Sequence, residues 1–345
     1  QSVEGMPRNS GTHAAGVVIA PDDLKKYVPL QLSNENFITT EYDKDKIESL
    51  GLLKMDLLGL RTLTVIGDAI KFIYETTGDK LDIDKIPLDD EATCSMLRKG
   101  DTQGVFQLES GGMTKLVMDL GPESFEDLIP LVALYRPGPL GTGMVEDFIA
   151  GRHGEKTAEM LHPLLEPVLK DTFGVILYQE QVMQIVRDLA GYSWGRSDLV
   201  RRAMSKKKAY VMEQERKNFI YGNPEEGVKG CVNNGIDETV AGKIYDDMID
   251  FAKYAFNKSH AACYAVVSFQ TAFLKTYYPV EFMAALMTSV IDNTSKVAGY
   301  IYACKQMNIN ILPPDVNESQ MEFSVDNGGI RFAMAGIKSL GRPTI

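Results

Sequence analysis

The chain has little of several features that mark specialised protein classes. Its four cysteines, at 94, 231, 263 and 304, lie far apart and form no Cys-x-x-Cys pair, so neither a zinc site nor a disulfide framework is indicated. The longest apolar stretch, residues 261–269, is far too short to span a bilayer. These absences favour a reducing compartment, and we expect a cytoplasmic protein without membrane contact.

The glycine-rich signatures of common nucleotide-binding folds are also missing. The sequence contains neither the G-x-x-x-x-G-K-[ST] pattern of a P-loop nor the G-x-G-x-x-G pattern of a dinucleotide-binding fold. The glycine pair within residues 104–113 fits neither pattern. Both classes of nucleotide site therefore lack support in this sequence.

The two ends of the chain favour a piece of something larger. The sequence opens at Gln1 without a charged-then-apolar signal segment, and it closes at Ile345 shortly after a Gly-Arg-Pro turn. The 345 residues are 44% hydrophobic and 24% charged, which is typical of a globular protein with room for two domains. We expect a fragment of a longer protein.

Positive charge is concentrated in one segment of an acidic chain. The net charge of −11 argues against a protein whose whole surface binds nucleic acid. Residues 193–208 carry six bases against one acid, Asp198. Arg201 and Arg202 would point about 100° apart on a helix and could straddle one multi-anionic group. A phosphate site and a solvated basic face both remain open. The six bases are Arg196, Arg201, Arg202, Lys206, Lys207 and Lys208.

Hydrophobic periodicity divides the chain into a short strand-rich part and a long helical part. Buried β-branched residues predict a strand at 13–20, and further strands are expected at 37–41 and 50–56. Residues 322–325 and 330–333 flank an Asp-Asn-Gly-Gly turn, which predicts a hairpin. The predicted fold class is α+β. Helices are expected at 65–77, 89–99, 182–190, 207–221, 237–255, 259–277 and 280–291.

One carboxylate stands out in the strand-rich part. Asp56 lies among apolar residues at the expected end of strand 50–56. A carboxylate rarely enters a buried strand without a partner, and Mg²⁺ prefers such oxygen ligands. A local cap or salt bridge is the alternative. By contrast, Asp82 and Asp84 look like paired metal ligands, but they lie in a polar connector where we expect both to face solvent.

Two further segments would present basic side chains on a defined backbone. Ser259 is a suitable N-cap, so Lys258 and His260 would flank exposed N–H groups at the positive end of a helix. A capped helix with an incidental histidine is the alternative. Pro137 biases Arg136 away from helical conformation, and both phosphate binding and structural ion pairing suit its guanidinium.

Long stretches of the sequence coincide, in order, with one known family. The chain resembles the C-family replicative DNA polymerases. LGLRTLT after Asp56 resembles the branch of the bacterial DNA polymerase III alpha subunits rather than the exonuclease-bearing branch. The matching stretches are HAAGVVIAP (13–21), LLKMDLLGLRTLT (52–64), GVFQLESGGM (104–113), ALYRPGPLGTGM (133–144), YQEQVMQI (178–185), the basic run, and AFNKSHAACYAVVSFQTAFLKTYYPVEFMAALM (255–287).

The resemblance implies a domain organisation. Residues 1–62 correspond to the C-terminal part of a palm similar to the polymerase β nucleotidyltransferase fold, and 63–325 to a large, mainly α-helical fingers domain. Residues 326–345 correspond to a hairpin and the start of a tandem helix-hairpin-helix element, with Gly336–Gly341 as its first hairpin. The family's two other catalytic aspartates are expected outside this chain.

The resemblance also implies chemical roles. Asp56 matches the third catalytic aspartate, which would ligate one of two Mg²⁺ ions in nucleotidyl transfer from a dNTP to a primer 3′-hydroxyl. Lys54, two residues earlier, would share its strand face. The side chains that would contact the dNTP phosphates are Lys54, Arg201, Arg202, His260, Arg136 and Lys258.

The same resemblance implies partners and one limit on activity. Primer–template DNA would bind largely through its backbone, and the sliding clamp and other replisome subunits would be partners of the intact protein. With one of three aspartates, this chain alone is expected to be inactive. The alternative is a non-catalytic nucleotide- or nucleic-acid-binding module.

Overall fold

The computed structural model describes residues 11–33, 36–205, 209–252 and 254–345. The chain divides into two compact units, Gln1–Arg61, here called the strand unit, and Thr62–Ile345, the helical unit. No helix in the described part of the chain is long and apolar enough to cross a membrane.

The strand unit contains two small antiparallel sheets. Strand β1 pairs with β4, and β2 pairs with β3. Each strand predicted at 13–20, 37–41 and 50–56 contains one shorter observed strand, whereas β2 was not predicted. The elements are β1 (Gly16–Ile19), β2 (Leu30–Leu32), β3 (Ile38–Thr40), α1 (Lys44–Ser49) and β4 (Leu53–Asp56).

The sheet formed by β1 and β4 has two chemically different faces. Val17, Ile19, Leu53 and Met55 are exposed on one face, because side chains alternate along paired strands. Val18, on the other face, packs against the small core of the unit. The prediction of a fully buried strand at 13–20 is therefore wrong, since its residues alternate between half-buried and exposed.

The helical unit confirms most of the helices expected from sequence periodicity. Asp90 caps α3 with its carboxylate, and Gly191 ends α9 in the left-handed region at φ 74°. The helix predicted at 207–221 begins at Ala209 within the described residues. The helices are α2 (Arg61–Thr77), α3 (Glu91–Arg98), α4 (Gly111–Leu120), α5 (Leu128–Leu134), α6 (Pro137–Leu140), α7 (Met144–Arg152), α8 (Glu166–Leu169), α9 (Gln179–Ala190), α10 (Trp194–Ser205), α11 (Ala209–Tyr221), α12 (Glu238–Ala252), α13 (Lys258–Tyr277), α14 (Pro279–Ser289) and α15 (Thr294–Gln306).

Three apolar clusters form the core of the helical unit. One lies around α4 and α5, one around α2, α14 and α15, and one around α9 to α12. Helix α13 contributes to two of them, with Phe269 in the first and Leu274 in the second. This long helix therefore fixes the position of the residues at its N-terminal end, Lys258 and His260 among them.

The hairpin predicted near the C-terminal end is confirmed. Strands β6 (Ser324–Asp326) and β7 (Gly329–Arg331) are antiparallel, and Asn327 and Gly328 form the turn. Both turn residues have positive φ, at 48° and 75°, as a type I′ turn requires. Strand β5 (Ile311–Leu312), which pairs in parallel with β7, was not predicted. The whole is a mixed fold dominated by helix, consistent with α+β.

Candidate functional site

Asp56 lies in a cluster of three titratable side chains on one face of the β1–β4 sheet. Across the strands Gly16 faces Asp56, and Val18 faces Lys54. Lys54 Nζ forms an ion pair with Asp56 Oδ1, and His13 Nε2 lies 3.8 Å from the same oxygen. The expected common face of Lys54 and Asp56 is confirmed by this pair.

Gly16 leaves the space that this cluster occupies. A Cβ atom at position 16 would lie 2.9 Å from His13 Nδ1, 2.9 Å from Lys54 Cε and 3.1 Å from Asp56 Oδ1. The first two distances are shorter than ordinary van der Waals contact. Glycine at this position therefore permits the three side chains to converge over the strand.

Asp56 has an exposed, charged carboxylate rather than a buried one. Its side chain is 47% exposed, so the expectation that it lies in a buried strand is wrong. Lys54, through its hydrogen bond and its charge, and His13, through its charge, hold the pKa of Asp56 below its ordinary value. An ionised carboxylate open to solvent can serve as an oxygen ligand for Mg²⁺.

A depression of about 430 Å³ opens on the same side of the strand unit. His13, Gly16 and Lys54 line it, together with Lys44 and Thr40. The charges of Lys44 and Lys54 both act on Asp56. The described residues contain no group of three or more His, Cys, Asp or Glu side chains that could hold a metal ion. Asp56 therefore offers one metal ligand and not a complete site.

Arg201 and Arg202 hold one carboxylate between them. Arg201 Nε and Nη2 donate to Asp198 Oδ1 at 2.9 and 2.8 Å, and Arg202 Nε lies 2.7 Å from Asp198 Oδ2. The two arginines do straddle an anion, as the spacing predicted, but here it is the acid of their own helix. The side chain of Arg202 is 64% exposed and that of Arg201 is 22% exposed.

The rest of the basic run is not a uniform charged face. Arg196 pairs with Glu215 and Glu226, and Tyr192 donates to Glu215 Oε2 at 3.0 Å. This half-buried network joins α10 to α11. Lys206, Lys207 and Lys208 lie outside the described residues.

The start of α13 already has two acceptors for its backbone amides. Asn257 is the N-cap, and its Oδ1 accepts from His260 N at 2.7 Å. Glu180 Oε2 accepts from Lys258 N at 2.9 Å. The prediction that Ser259 caps this helix is wrong, because the N-cap lies two residues earlier, at Asn257, and the helix begins at Lys258. The carboxylate of Glu180 occupies the place expected for an external anion.

The side chains of Lys258 and His260 contact aromatic rings and remain exposed. Lys258 Nζ lies 5.4 Å from the centroid of the Tyr178 ring. The ring centroid of His260 lies 4.2 Å from that of Tyr264 and 5.4 Å from that of Phe256. Within the part of the chain that the structure describes, neither side chain forms an ion pair, so both can turn toward an anion without breaking one there.

Arg136 has the extended backbone that Pro137 predicts, at φ −146° and ψ 154°. Its Nε donates to Ala133 O at 2.9 Å and its Nη2 to Tyr254 O at 2.5 Å. The guanidinium also lies 4.4 Å from the centroid of the Phe256 ring, and burial lowers its pKa. Within the described residues these contacts are with carbonyls and a ring and include no ion pair, and phosphate binding by Arg136 stays a prediction.

The Asp82-x-Asp84 pair faces solvent, as predicted. Both residues are exposed. Asp82 Oδ2 lies 2.7 Å from Lys85 Nζ, and Asp84 Oδ1 accepts from Gln270 Nε2 at 3.3 Å. Asp82 therefore pairs with a neighbour along the chain, and Asp84 contacts α13.

Four of the five predicted basic side chains of the helical unit lie on or contact two short segments, 178–180 and 254–260, whereas Arg202 contacts its own helix. Gln179 Oε1 accepts from Arg201 Nη1 at 2.9 Å, while Arg136 and His260 share Phe256 as a neighbour. Sequence reasoning assigned no role to Gln179, Glu180 or Phe256 here, or to His13 in the strand unit. Their only sequence signal was membership of the stretches YQEQVMQI, AFNKSH and HAAGVVIAP.

Comparison with known proteins identifies the class of this chain. A family model of the bacterial DNA polymerase III alpha subunit finger domain matches residues 62–227, and one of the bacterial DNA polymerase III alpha NTPase domain matches residues 1–59. A helix-hairpin-helix motif model matches residues 308–345. The models follow one another in the order of the strand unit, the helical unit and the C-terminal hairpin region.

Individual relatives agree along the whole chain. The DNA polymerase III subunit alpha of Pseudomonas aeruginosa is 49% identical over 350 residues, which is 98% of this chain and 29% of the relative. Those of Escherichia coli K12 and Bacillus subtilis are 46% and 44% identical, with 100% and 99% of this chain covered and 30% of each relative. The chain belongs to the bacterial DNA polymerase III alpha-subunit family, and it spans about 30% of the length of these relatives.

Proposed function

We propose that this chain is the part of a replicative DNA-directed DNA polymerase that supplies one metal-binding carboxylate and the basic side chains for the incoming nucleotide. Residues 1–62 would form the C-terminal part of the palm, 63–325 the fingers, and 326–345 the start of the helix-hairpin-helix element. The observation that supports this proposal most directly is the exposed, ionised Asp56 beside Lys54 in a chain of this polymerase family.

Asp56 would act as a ligand of Mg²⁺ in the intact enzyme. Two Mg²⁺ ions, when bound, would activate the primer 3′-hydroxyl and neutralise charge on the α-phosphate. Asp56 suits this role because its carboxylate is charged and accessible. A cation at Asp56 would compete with the Lys54 ammonium, which then becomes available for a phosphate oxygen of the dNTP.

The dNTP phosphates would be bound from the helical unit. Arg202, Lys258 and His260 have exposed side chains that can reach an anion by rotation. Arg201 already directs two N–H groups, from Nε and Nη2, at one carboxylate oxygen, and the same two donors could instead form a bidentate pair with two phosphate oxygens. Arg136 is the weakest member of this set, because two carbonyls and a ring hold its guanidinium.

The isolated chain would not catalyse nucleotidyl transfer. A two-metal site needs several carboxylates, and the described residues contain no metal-binding group of three or more side chains. The partner of the intact protein would be primer–template DNA, held largely through its backbone. The sliding clamp and other replisome subunits would be further partners of the intact protein.

A second candidate is a non-catalytic module that docks nucleotides or nucleic acid. The lack of a metal-binding group of three or more side chains among the described residues favours it, because a phosphate-binding surface needs no metal site. The two candidates differ in what they require of Asp56. Only the polymerase role makes its charge essential for primer extension.

Primer extension by the full-length protein tests the proposal. Asp56→Asn should lower the rate at least about a hundredfold, the scale of losing a group that stabilises the transition state. Asp82→Asn, which neutralises another exposed acid, is the matched control and should leave the rate unchanged. Intact extension by Asp56→Asn, together with weaker dNTP binding by Arg201→Ala, would leave only the docking role.

A further inference from the structure

The first turn of α9 touches two of the elements that carry predicted phosphate-binding side chains of the helical unit, α10 and the start of α13. Gln179 Oε1 accepts from Arg201 Nη1 on α10 at 2.9 Å. Gln179 Nε2 donates to Ala255 O at 3.3 Å, and its backbone N–H donates to Phe256 O at 2.9 Å. One residue therefore connects the guanidinium of Arg201 to the segment that leads into α13.

The next residue secures the start of α13 itself. Glu180 Oε1 accepts from Asn257 Nδ2 and Glu180 Oε2 accepts from Lys258 N, both at 2.9 Å. Asn257 in turn caps His260 N. The carboxylate at this helix end is also favoured by the helix dipole. Glu180 thus fixes the backbone from which Lys258 and His260 project.

Capping of α9 does not require the side chain of Gln179 or of Glu180. Gln181 performs that task, because its Oε1 accepts from Leu177 N at 2.8 Å and from Tyr178 N at 2.9 Å. The side-chain amide of Gln179 bonds to two other segments of the chain. An amide at this place also orients Arg201 without adding a second negative charge beside Asp198.

We propose that Gln179 and Glu180 are positioning residues for the nucleotide phosphates. Gln179 holds the Arg201 guanidinium in register with the start of α13, and Glu180 holds that start in place, so that the basic side chains of two helices meet the same anion. Neither residue contacts the substrate in this scheme. The inference rests on the proposed dNTP-binding role of Arg201, Lys258 and His260.

The test measures nucleotide affinity in the full-length protein. Binding of dATP to a complex with a chain-terminated primer, and binding of inorganic tripolyphosphate, are compared for the wild type and Gln179→Met, which keeps side-chain length but has no amide. We expect about tenfold weaker binding of both probes, the effect of losing one hydrogen bond to a charged group. KM for dNTP should rise in parallel, with kcat within about twofold.

A double-mutant cycle separates positioning from general stability. If Gln179 acts through Arg201, then Gln179→Met should weaken binding no further in an Arg201→Ala background. Gln184→Met, the same change on the same helix outside this network, should bind both probes like the wild type. Additive losses in the cycle, or wild-type affinity of Gln179→Met, would refute the positioning role.

Two further outcomes keep the inference distinct from the proposed function. If Arg201→Ala binds dATP like the wild type, the phosphate role of Arg201 itself is refuted. If Arg201→Ala binds dATP more weakly but Gln179→Met does not, only the positioning role of Gln179 is refuted. If Gln179→Met lowers the melting temperature of the protein, Glu180→Gln is used as the test variant instead. Glu180→Gln keeps side-chain size but loses an acceptor for Asn257 or Lys258, and it must also weaken tripolyphosphate binding.

Discussion

The strand unit and the helical unit hold their polar side chains in opposite ways. In the strand unit Lys54 and Asp56 form an ion pair whose carboxylate is 47% exposed, above a core with few buried residues. In the helical unit Gln181 and Lys275 are only 7% and 6% exposed. Each N–H group of these buried side chains therefore needs a hydrogen-bond acceptor. Exposed polar groups are available for ligands, whereas buried ones determine the fold.

The same contrast runs through the basic side chains of the helical unit. Arg201 and Arg136 are half-buried and bonded to their neighbours, while Arg202, Lys258 and His260 are exposed. The bonded arginines have a defined geometry before any ligand arrives, which lowers the entropy lost on binding. Of the exposed side chains, Arg202 already pairs with an acid of its own helix, and the other two supply charge but must be ordered by the ligand.

The largest expected effect concerns Gln181. Gln181→Ala removes its bonds to Leu177 N, Tyr178 N, Val168 O and Thr172 Oγ1 and leaves buried groups unpaired, so the free energy of unfolding should fall by about 3 kcal/mol. Urea unfolding of the 345-residue chain measures it. Gln31→Ala, at an exposed position of the strand unit, should change it by less than about 0.5 kcal/mol. Equal effects at both positions would contradict the contrast between the units.

A smaller, pH-dependent effect is expected at Lys275. Its Nζ donates to Asp101 O at 2.7 Å and Gln103 O at 2.8 Å, and burial lowers its pKa to about 8. Above pH 8 the unfolded chain keeps a proton that the folded chain has lost, so this group makes folding more favourable as pH rises. Relative to Lys275→Met, the wild type should gain about 2 kcal/mol between pH 7.5 and 9.5.

The quantity to measure is the difference in unfolding free energy between the wild type and Lys275→Met. Buried groups with raised pKa values that do not interact with Lys275, such as Tyr178 and Cys231, titrate in both proteins and cancel. Unfolding free energies at four or five pH values suffice. A difference that stays flat across this range would mean that Lys275 remains charged at about its ordinary pKa, held so by the two carbonyls.

Sequence pattern predicted the elements of the fold better than it predicted their surroundings. The periodicity of α2 and α9 and the Asn327-Gly328 turn depend on local physics, and the structure confirms them. The exposure of the strand that carries Asp56 was predicted wrongly. Burial of a short apolar strand depends on what packs against it, and the residues of the strand itself do not encode that.

For the candidate site, residue type was predictable and partner choice was not. Arg201 and Arg202 were recognised as a pair that straddles an anion, yet Asp198 of the same helix is the anion they hold. The cap of α13 shifted from Ser259 to Asn257, because either residue can cap and the helix start decides between them. Glu180 lies about 80 residues from that cap along the chain, so no local pattern could have indicated the contact.

The smallest effect on stability, but the most direct probe of the strand unit, is expected from Gly16→Ala. The added Cβ would lie 2.9 Å from His13 Nδ1 and from Lys54 Cε. His13 is 43% exposed, and the side chain of Lys54, though only 18% exposed, is long and flexible. Both can move away, so the free energy of unfolding should change by less than about 0.5 kcal/mol. The Lys54–Asp56 pair should nevertheless loosen.

That loosening has a titration signature. Because the hydrogen bond from Lys54 is the largest cause of the lowered pKa of Asp56, the Asp56 pKa should rise toward its ordinary value in Gly16→Ala. A carboxyl-carbon NMR titration measures it. Gly59→Ala, where an added Cβ meets nothing within 4 Å, should leave the Asp56 pKa unchanged. An unshifted pKa of Asp56 in Gly16→Ala would mean that Lys54 keeps its contact with Asp56 in another rotamer. Glycine at position 16 would then matter only for the conformation of the backbone.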